Sequence, residues 1–327
     1  MKILLDVVIL LVGFVALIKG ADWFVDGAAA VAKKFHVPGL IIGLTIVAMG
    51  TSAPELAVST SAAIQGSNEI AVSNVVGSNL FNTLMVLGIC ALIKPLPVND
   101  SVLKRDFPVN LGVTFLLLIG AAYPLLMKGG LLNDAMADNV GLVSRWLGLV
   151  LLVVFVCYIL YLIHDARKNP AAVEEDYEAM PGWKCLLLIL VGIGLIVGGG
   201  EAVVYGAKSI ALAAGMTETL VGLTIVAVGT SLPELVTSIV AARKGETGMA
   251  VGNVVGSNIF NILLILGVSS TIHPIAVNAA SVWDLYILIA IGIITYVFGL
   301  TKKEIRRPEG AFLVLLYIAD MAFAILR

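Results

Sequence analysis

Two stretches of this chain carry nearly the same text. Residues 43–88 begin GLTIVAMGTSAPEL and end NVVGSNLFNTLMVLG; residues 222–267 begin GLTIVAVGTSLPEL and end NVVGSNIFNILLILG. They align without a gap at an offset of about 179 residues, with about 29 of 46 positions identical. Each copy sets one glutamate, Glu55 or Glu234, deep inside an apolar segment. An ionisable group in lipid is expensive, so such a residue marks function. Two at matching places in a duplicated chain point to one shared site between the copies.

The repeat extends beyond these blocks. GADWFVDGA at 20–28 faces GGEAVVYGA at 199–207, and Pro95 and Asn99 face Pro274 and Asn278. The match fades after about residue 105. The chain has 327 residues, 60% hydrophobic and 13% charged. Soluble domains are roughly 45–50% apolar and about 25% charged. Apolar runs of about 17–25 residues recur from end to end, each long enough to cross a bilayer as a helix. The class is therefore an all-α polytopic membrane protein. A net charge of −2 with no long basic run gives no footing for nucleic acid. Cys90, Cys157 and Cys185 fit no metal or disulfide spacing and read as packing or lipid-facing residues. Segment 3–18 reads as a retained first helix rather than a signal peptide.

Counting runs gives about five helices per half. The expected spans are 3–20, 38–64, 70–93, 107–126 and 145–163, then 184–207, 217–242, 249–271, 283–300 and 310–326. Residues 1–164 form the first repeat, 165–182 a polar cytoplasmic linker, and 183–327 the second repeat. Five is odd, so the second repeat enters the membrane from the opposite face. About ten transmembrane helices then make two inverted five-helix repeats, an architecture typical of secondary transporters. With the N-terminus outside, Lys and Arg divide roughly fifteen inside to five outside, a strong positive-inside bias. Both termini are expected outside the cytoplasm of an integral plasma (inner) membrane protein.

The first motif, Gly50-Thr51-Ser52-Ala53-Pro54-Glu55, falls near the middle of its span. Pro54 carries no amide hydrogen and disfavours helix at Ala53, and Gly50 loosens the backbone. A helix broken there frees carbonyls near Ala48 and Thr51, tolerated at that depth only where they line a cavity or pack in protein. Thr51, Ser52 and Glu55 share one helical face. Thr230, Ser231, Pro233 and Glu234 repeat the pattern. The bland reading of these hydroxyls is back-bonding to the i−4 carbonyl.

The next helix adds Asn74, Ser78 and Asn82, and its counterpart Asn253, Ser257 and Asn261, each set spaced i, i+4, i+8. Asn74 and Asn253, farthest from the end of the stripe, read as interhelical glue. Gly77 and Gly256 would let neighbouring helices approach closely. Two carboxylates, hydroxyls, amide oxygens and carbonyls, without histidine or cysteine, make an all-oxygen dianionic site. Hard cations want such ligands, and Ca²⁺ takes 6–8 of them. Two negative charges balance one Ca²⁺, two or more Na⁺, or protons, and competition among these gives antiport.

The paired motifs GTSxPE and NxxGSNxFN, present twice, resemble the two alpha repeats of the calcium/cation antiporter superfamily, which includes the sodium/calcium exchangers. The short prokaryotic branch is the nearest in form. The resemblance implies alternating access, no cofactor, and Ca²⁺ with Na⁺ as transported ions. It implies a midplane site from the carbonyl of Ala48 with Thr51, Ser52, Glu55, Ser78 and Asn82. The second half would supply the carbonyl of Ala227 with Thr230, Ser231, Glu234, Ser257 and Asn261. It also implies that the first and sixth helices slide over the other eight, which the glycines at 192, 194 and 198–200 would suit. Where this chain has Asn261, some relatives, the potassium-dependent ones among them, carry aspartate; that weighs against potassium co-transport.

Three other functions compete. Proton-coupled Ca²⁺/H⁺ antiport would use the same carboxylates. An intramembrane hydrolase would use the glutamates as acid and base, but no nucleophile–base pair stands near them. A passive channel sits poorly with inverted repeats and broken midplane helices. Asp22, Asp26 and Glu201 read as interfacial. Glu174, Glu175, Asp176 and Glu178 read as a solvated linker without EF-hand spacing. His36, His164 and His273 take no role.

Overall fold

The computed structural model describes residues 2–66, 68–127, 141–170, 180–216 and 227–326. The described chain is a set of helical rods. We label them α1 (Lys2–Lys34), α2a (Gly39–Thr51), α2b (Ala53–Ile64), α3 (68–93), α4 (102–127) and α5 (Arg145–Lys168). The second half gives α6 (Gly182–Ala213), α7 (Ala227–Gly229 and Leu232–Lys244), α8 (Thr247–Ile272), α9 (Ala279–Lys302) and α10 (Arg307–Leu326). Among the described residues, 6 helices are long and apolar enough to cross a membrane, or 7 when α2a and α2b count as one broken span. The expected start of the seventh span and the acidic residues at 174–178 lie outside the described residues.

Most described rods begin within about three residues of where the sequence suggested, the ninth starts earlier, at Ala279 rather than 283, and several end later. The first expected span, 3–20, is the front of a 33-residue helix. The sixth, 184–207, runs from Gly182 to Ala213, and the fifth reaches Lys168 rather than residue 163. The physical reason is the same in each case. Charges such as Lys19, Asp22 and Asp26 end an apolar run but do not end a helix. What ends α1 is the turn after it, where His36 takes a left-handed φ of 53° ahead of Pro38. Gly215 turns the chain after α6 in the same way, with φ of 90°. The helix expected over 107–126 begins earlier, in a π-helical turn at Val102–Asp106.

α1 and α6 pack antiparallel along a seam of small residues. A Cβ at Gly13 would meet the Gly199 carbonyl at 2.9 Å, and one at Gly20 would meet the Gly192 carbonyl at 2.8 Å. Gly27 lies against Cys185 and Gly206 against Asp6, so the seam runs the whole pair. Beside it, Ser209 Oγ donates to Asp6 at 2.7 Å. Of the glycines expected to suit a surface sliding over the other eight helices, Gly192 and Gly199 instead face α1 in this seam, Gly200 faces Pro233 of α7 at 3.7 Å, and Gly194 and Gly198 have open space at the Cβ position.

The buried centre is α3 with α8, flanked by α2 and α7. Of the most apolar 18-residue stretch of α8, 89% is buried, against 22% for α1. Gly252 and Gly256 bring α8 against the backbone of α2a at Leu40 and Leu44. At Gly77 no such approach occurs among the described residues. Two short antiparallel ribbons close the ends. β1 (Leu96–Pro97) follows α3 and pairs with β4 (Glu304–Ile305), which precedes α10. β2 (Gly141–Val143) precedes α5 and pairs with β3 (Ile275–Val277), which follows α8. Strands this short leave no alternating pattern in the sequence. Outside the membrane-spanning rods, Lys303 and then Lys104 flank Asp100 and hold its carboxyl below the usual range.

Candidate cation-binding site

Pro54 breaks α2 as its chemistry requires. The helical ladder runs to Ser52 N–Ala48 O at 3.0 Å and restarts with Leu56 N–Ser52 O at 3.1 Å. Gly50 loses its partner because Pro54 has no amide hydrogen. The two pieces meet at 50°. In α7 the chain turns at Thr230 and Ser231 ahead of Pro233, and Leu235 N resumes the ladder on Ser231 O at 3.2 Å. Ala48, expected to offer a free carbonyl, accepts instead from Ser52 N–H at 3.0 Å and from Thr51 Oγ1 at 3.4 Å. Ala227 opens the short helical turn Ala227–Gly229 at the edge of the described residues.

Each break turns its serine toward the other half's glutamate. Ser52 Oγ donates to Glu234 Oε1 at 2.9 Å, and Ser231 Oγ lies 3.1 Å from Glu55 Oε1. Both carboxylates are fully buried. Ser78 joins from α3, with its Oγ 3.4 Å from Glu55 Oε1 and 2.9 Å from Ser231 Oγ. The threonines pair in the same crossed way. Thr51 Oγ1 reaches Asn253 Oδ1 at 3.1 Å, and Thr230 Oγ1 reaches Asn74 Oδ1 at 3.4 Å. Thr51 also back-bonds to the Val47 carbonyl at 3.2 Å, so the bland reading of that hydroxyl is realised alongside the crossed one.

Asn74 and Asn253 are the glue their position suggested. Asn74 Nδ2 donates to Ser59 Oγ at 2.9 Å and to the Glu55 carbonyl at 3.4 Å. Asn253 does the same to Ser238 and the Glu234 carbonyl, at the same distances. These bonds hold α3 to α2b and α8 to α7 just behind each carboxylate.

The remaining expected ligands are present but free. Glu55 Oε2, Glu234 Oε2, Asn82 Oδ1, Ser257 Oγ and Asn261 Oδ1 are buried oxygens without a hydrogen-bond partner. Native interiors leave few polar atoms unpaired, and a cation is one partner that satisfies them. Buried oxygens at Thr60, Asn110, Thr237, Asn258 and Ser269 are also unpartnered, and nothing in the structure explains those five. Among the described residues no group of three or more His, Cys, Asp and Glu side chains comes together. The charge at the centre is therefore that of two carboxylates, and every other candidate ligand is a neutral oxygen. That chemistry fits Ca²⁺ or Na⁺ as cargo and disfavours softer metals.

Two residues and one backbone feature escaped the sequence reading. Asn79 Nδ2 donates to the Asn258 carbonyl at 3.1 Å, and Asn258 Nδ2 donates to Thr83 at 2.8 Å. Asn261 Nδ2 donates to Asn79 at 3.0 Å and to Ser78 at 3.2 Å. The asparagine that ends each GSN triplet thus stitches α3 to α8, and its presence in both copies was the signal. The backbone feature is a π-helical turn that starts at Asn82 in α3 and at Asn261 in α8. Such turns recur at functional sites because they redirect side chains within a helix.

The chain is similar to known proteins along nearly its whole length. A profile of the family "Sodium/calcium exchanger protein" matches residues 5–164 and 184–326. The sodium/calcium exchanger MaX1 of Methanosarcina acetivorans is 35% identical over 341 residues, covering 97% of each chain. The inner membrane protein YrbG of Escherichia coli is 34% identical, covering 83% of this chain and 81% of its own. Among solved structures, the sodium-calcium exchanger NCX_Mj soaked with Na⁺ and Sr²⁺ superposes with a TM-score of 0.82 at 32% identity, covering 98% of both chains. The fold and site define an integral membrane cation antiporter of the calcium-exchanging class, a transporter and not an enzyme. The chain belongs to the sodium/calcium exchanger family.

Proposed function

We propose that this protein exchanges Ca²⁺ for Na⁺ by alternating access at one midplane site built around Glu55 and Glu234. The observation that carries the reading is the crossed pair of bonds, Ser52 to Glu234 and Ser231 to Glu55. Crossing bonds related by the repeat offset are what a two-fold axis between the halves produces. The antiparallel seam of α1 and α6 has the same reciprocity, with Gly13 on Gly199 and Gly20 on Gly192. An axis that turns one helix antiparallel to its counterpart lies across the helices, hence in the membrane plane. This supports ten spans in two inverted repeats, with the expected cytoplasmic linker of 165–182 narrowed to the residues between Lys168 and Gly182. The lysine and arginine bias then puts both termini outside a plasma (inner) membrane.

The carboxylates and neutral oxygens exchange cargo by charge balance. One Ca²⁺ neutralises both glutamates, and so do two Na⁺. Burying the unloaded dianion is costly, so the site changes faces only when filled. Thr51, Ser52, Ser78, Asn82, Thr230, Ser231, Ser257 and Asn261, with the carbonyls of Ala48 and Ala227, supply the remaining oxygens. No cofactor or protein partner enters this scheme. The test is Ca²⁺ flux into proteoliposomes under an imposed Na⁺ gradient at fixed pH. Flux that rises with the Na⁺ gradient supports the proposal. Flux that ignores Na⁺ and follows a pH gradient replaces it with Ca²⁺/H⁺ antiport.

A further inference from the structure

One corner of the ion site lacks bonds that its counterpart makes. In α8, Asn261 is held at two points: its Nδ2 donates to Asn79 Oδ1 at 3.0 Å and to Ser78 Oγ at 3.2 Å. Its Oδ1 is the atom left without a partner. The repeat carries those two bonds over to Asn82, with Asn258 and Ser257 as the acceptors. Neither is formed. The three atoms they would join, Asn82 Nδ2, Asn258 Oδ1 and Ser257 Oγ, all lack a hydrogen-bond partner, and so does Asn82 Oδ1. These residues are buried, so the idle polar atoms are costly.

The two corners differ at one neighbouring side chain. Thr83 follows Asn82 in the π-helical turn of α3 and is buried. Its Oγ1 accepts from Asn258 Nδ2 at 2.8 Å. A hydroxyl can accept from an amide or donate to it, so either end of the Asn258 amide would be held there. The matching residue in α8 is Ile262, which has no polar atom to offer Asn79. Asn79 accordingly keeps its Nδ2 on the Asn258 carbonyl at 3.1 Å and its Oδ1 on Asn261. Among the described residues, Asn258 makes neither of the corresponding bonds.

We propose that Thr83 is a positioning residue for cation binding, acting through Asn258 on Asn82. By holding Asn258, it unhooks Asn82 from α8. The Asn82 amide is then ordered only by the cation it ligates, whereas Asn261 is fixed in advance. The inference rests on the reading of Asn82 and Asn261 as Ca²⁺ ligands in the proposed exchange. A side chain that must be ordered on binding lowers affinity, and one held in place beforehand raises it. Ligand rigidity is one of the means by which calcium sites set their affinity. Thr83 therefore loosens the grip of a site that has to release its cargo.

The experiment is calorimetric titration of Ca²⁺ into the purified full-length protein in sodium-free detergent. Thr83→Val removes the hydroxyl and frees Asn258 to accept from Asn82, as Asn79 accepts from Asn261. Ca²⁺ should then bind about fivefold more tightly, the size of one side chain ordered in advance. Thr83→Ala, which also lacks the hydroxyl, should shift affinity in the same direction. Thr83→Ser keeps the hydroxyl and should match wild type. Added to Asn82→Ala, Thr83→Val should change nothing further, because the ligand it would fix is gone. A packing role for Thr83 would not depend on Asn82 in this way. Thermal melting in calcium-free detergent checks that each variant is folded. The proposal is overturned if folded Thr83→Val and Thr83→Ala bind Ca²⁺ no more tightly than wild type. It is also overturned if Thr83→Ser shifts as they do, or if the gain persists beside Asn82→Ala. In each of those outcomes wild type still binds Ca²⁺, and the exchange reading stands. A wild-type protein that takes up no Ca²⁺ removes both.

Discussion

The two halves of the ion site share their sequence but not their bonding. Around Glu55, Ser231 and Ser78 both approach one carboxylate oxygen, and Asn261 donates to Ser78 from across the interface. Around Glu234, Ser52 donates at 2.9 Å, Thr51 and Ser257 interact more weakly from further off, and both side-chain atoms of Asn82 stay unbonded. Asn79 and Asn258 differ as well, since Asn258 finds Thr83 and the residue facing Thr83 in the repeat is Ile262. One apolar substitution thus unbalances an otherwise matched pair. The lesson is that the duplicated text sets which residues meet, while single departures from it decide which are held and which are left to take a cation.

The largest effects should come from the carboxylates, which are common to both halves. Glu55→Gln or Glu234→Gln should cut Ca²⁺ flux in proteoliposomes by roughly 100-fold or more, because ligand charge dominates Ca²⁺ affinity. If one substitution is silent and the other is not, the halves are unequal in function as well as in bonding. Next come the serines. Ser78→Ala should lower thermal stability by about 1 kcal/mol, since it strips Asn261 and Glu55 of a bonded partner. Ser257→Ala should leave the melting temperature in calcium-free detergent nearly unchanged while weakening Ca²⁺ binding. Equal stability losses would erase the contrast.

Smaller still is Asn253→Ala, which removes interhelical bonds to Ser238 and the Glu234 carbonyl and should cost about 0.6 to 2 kcal/mol in a melting experiment. The smallest effect belongs to a contrast at the rim. Lys244 pairs with Asp22 and Asp26, each at 2.6 Å, whereas the matching positions of the other half hold Gln65, Glu201 and Tyr205. Lys244→Gln should cost less than about 1 kcal/mol, as half-exposed ion pairs do. A larger loss would show that the rim contributes more than its exposure allows.

Glu55 and Glu234 were legible in the sequence because lipid makes a carboxylate conspicuous, and the broken helix because Pro54 and Pro233 cannot continue a ladder. The i, i+4, i+8 stripes were legible for the same periodic reason. Asn79 and Asn258 were not. Each sits one residue past its serine, about 100° around the helix, so it leaves the stripe and reaches the other repeat. Helix ends were misjudged because hydropathy measures the membrane and not the helix, as α1 running to Lys34 demonstrates. The π-helical turns leave no mark in an apolar run, and strands of two or three residues fall below any periodic signal.

Those short ribbons have a further consequence. β1 follows α3 and pairs with β4 before α10; β2 precedes α5 and pairs with β3 after α8. Each ribbon laces one half of the chain to the other, like two clasps on opposite covers of a book. The peptide link through residue 175 is then a third fastening and not the sole one. Two separately translated pieces, 1–175 and 176–327, should find each other in a membrane and co-purify as one particle.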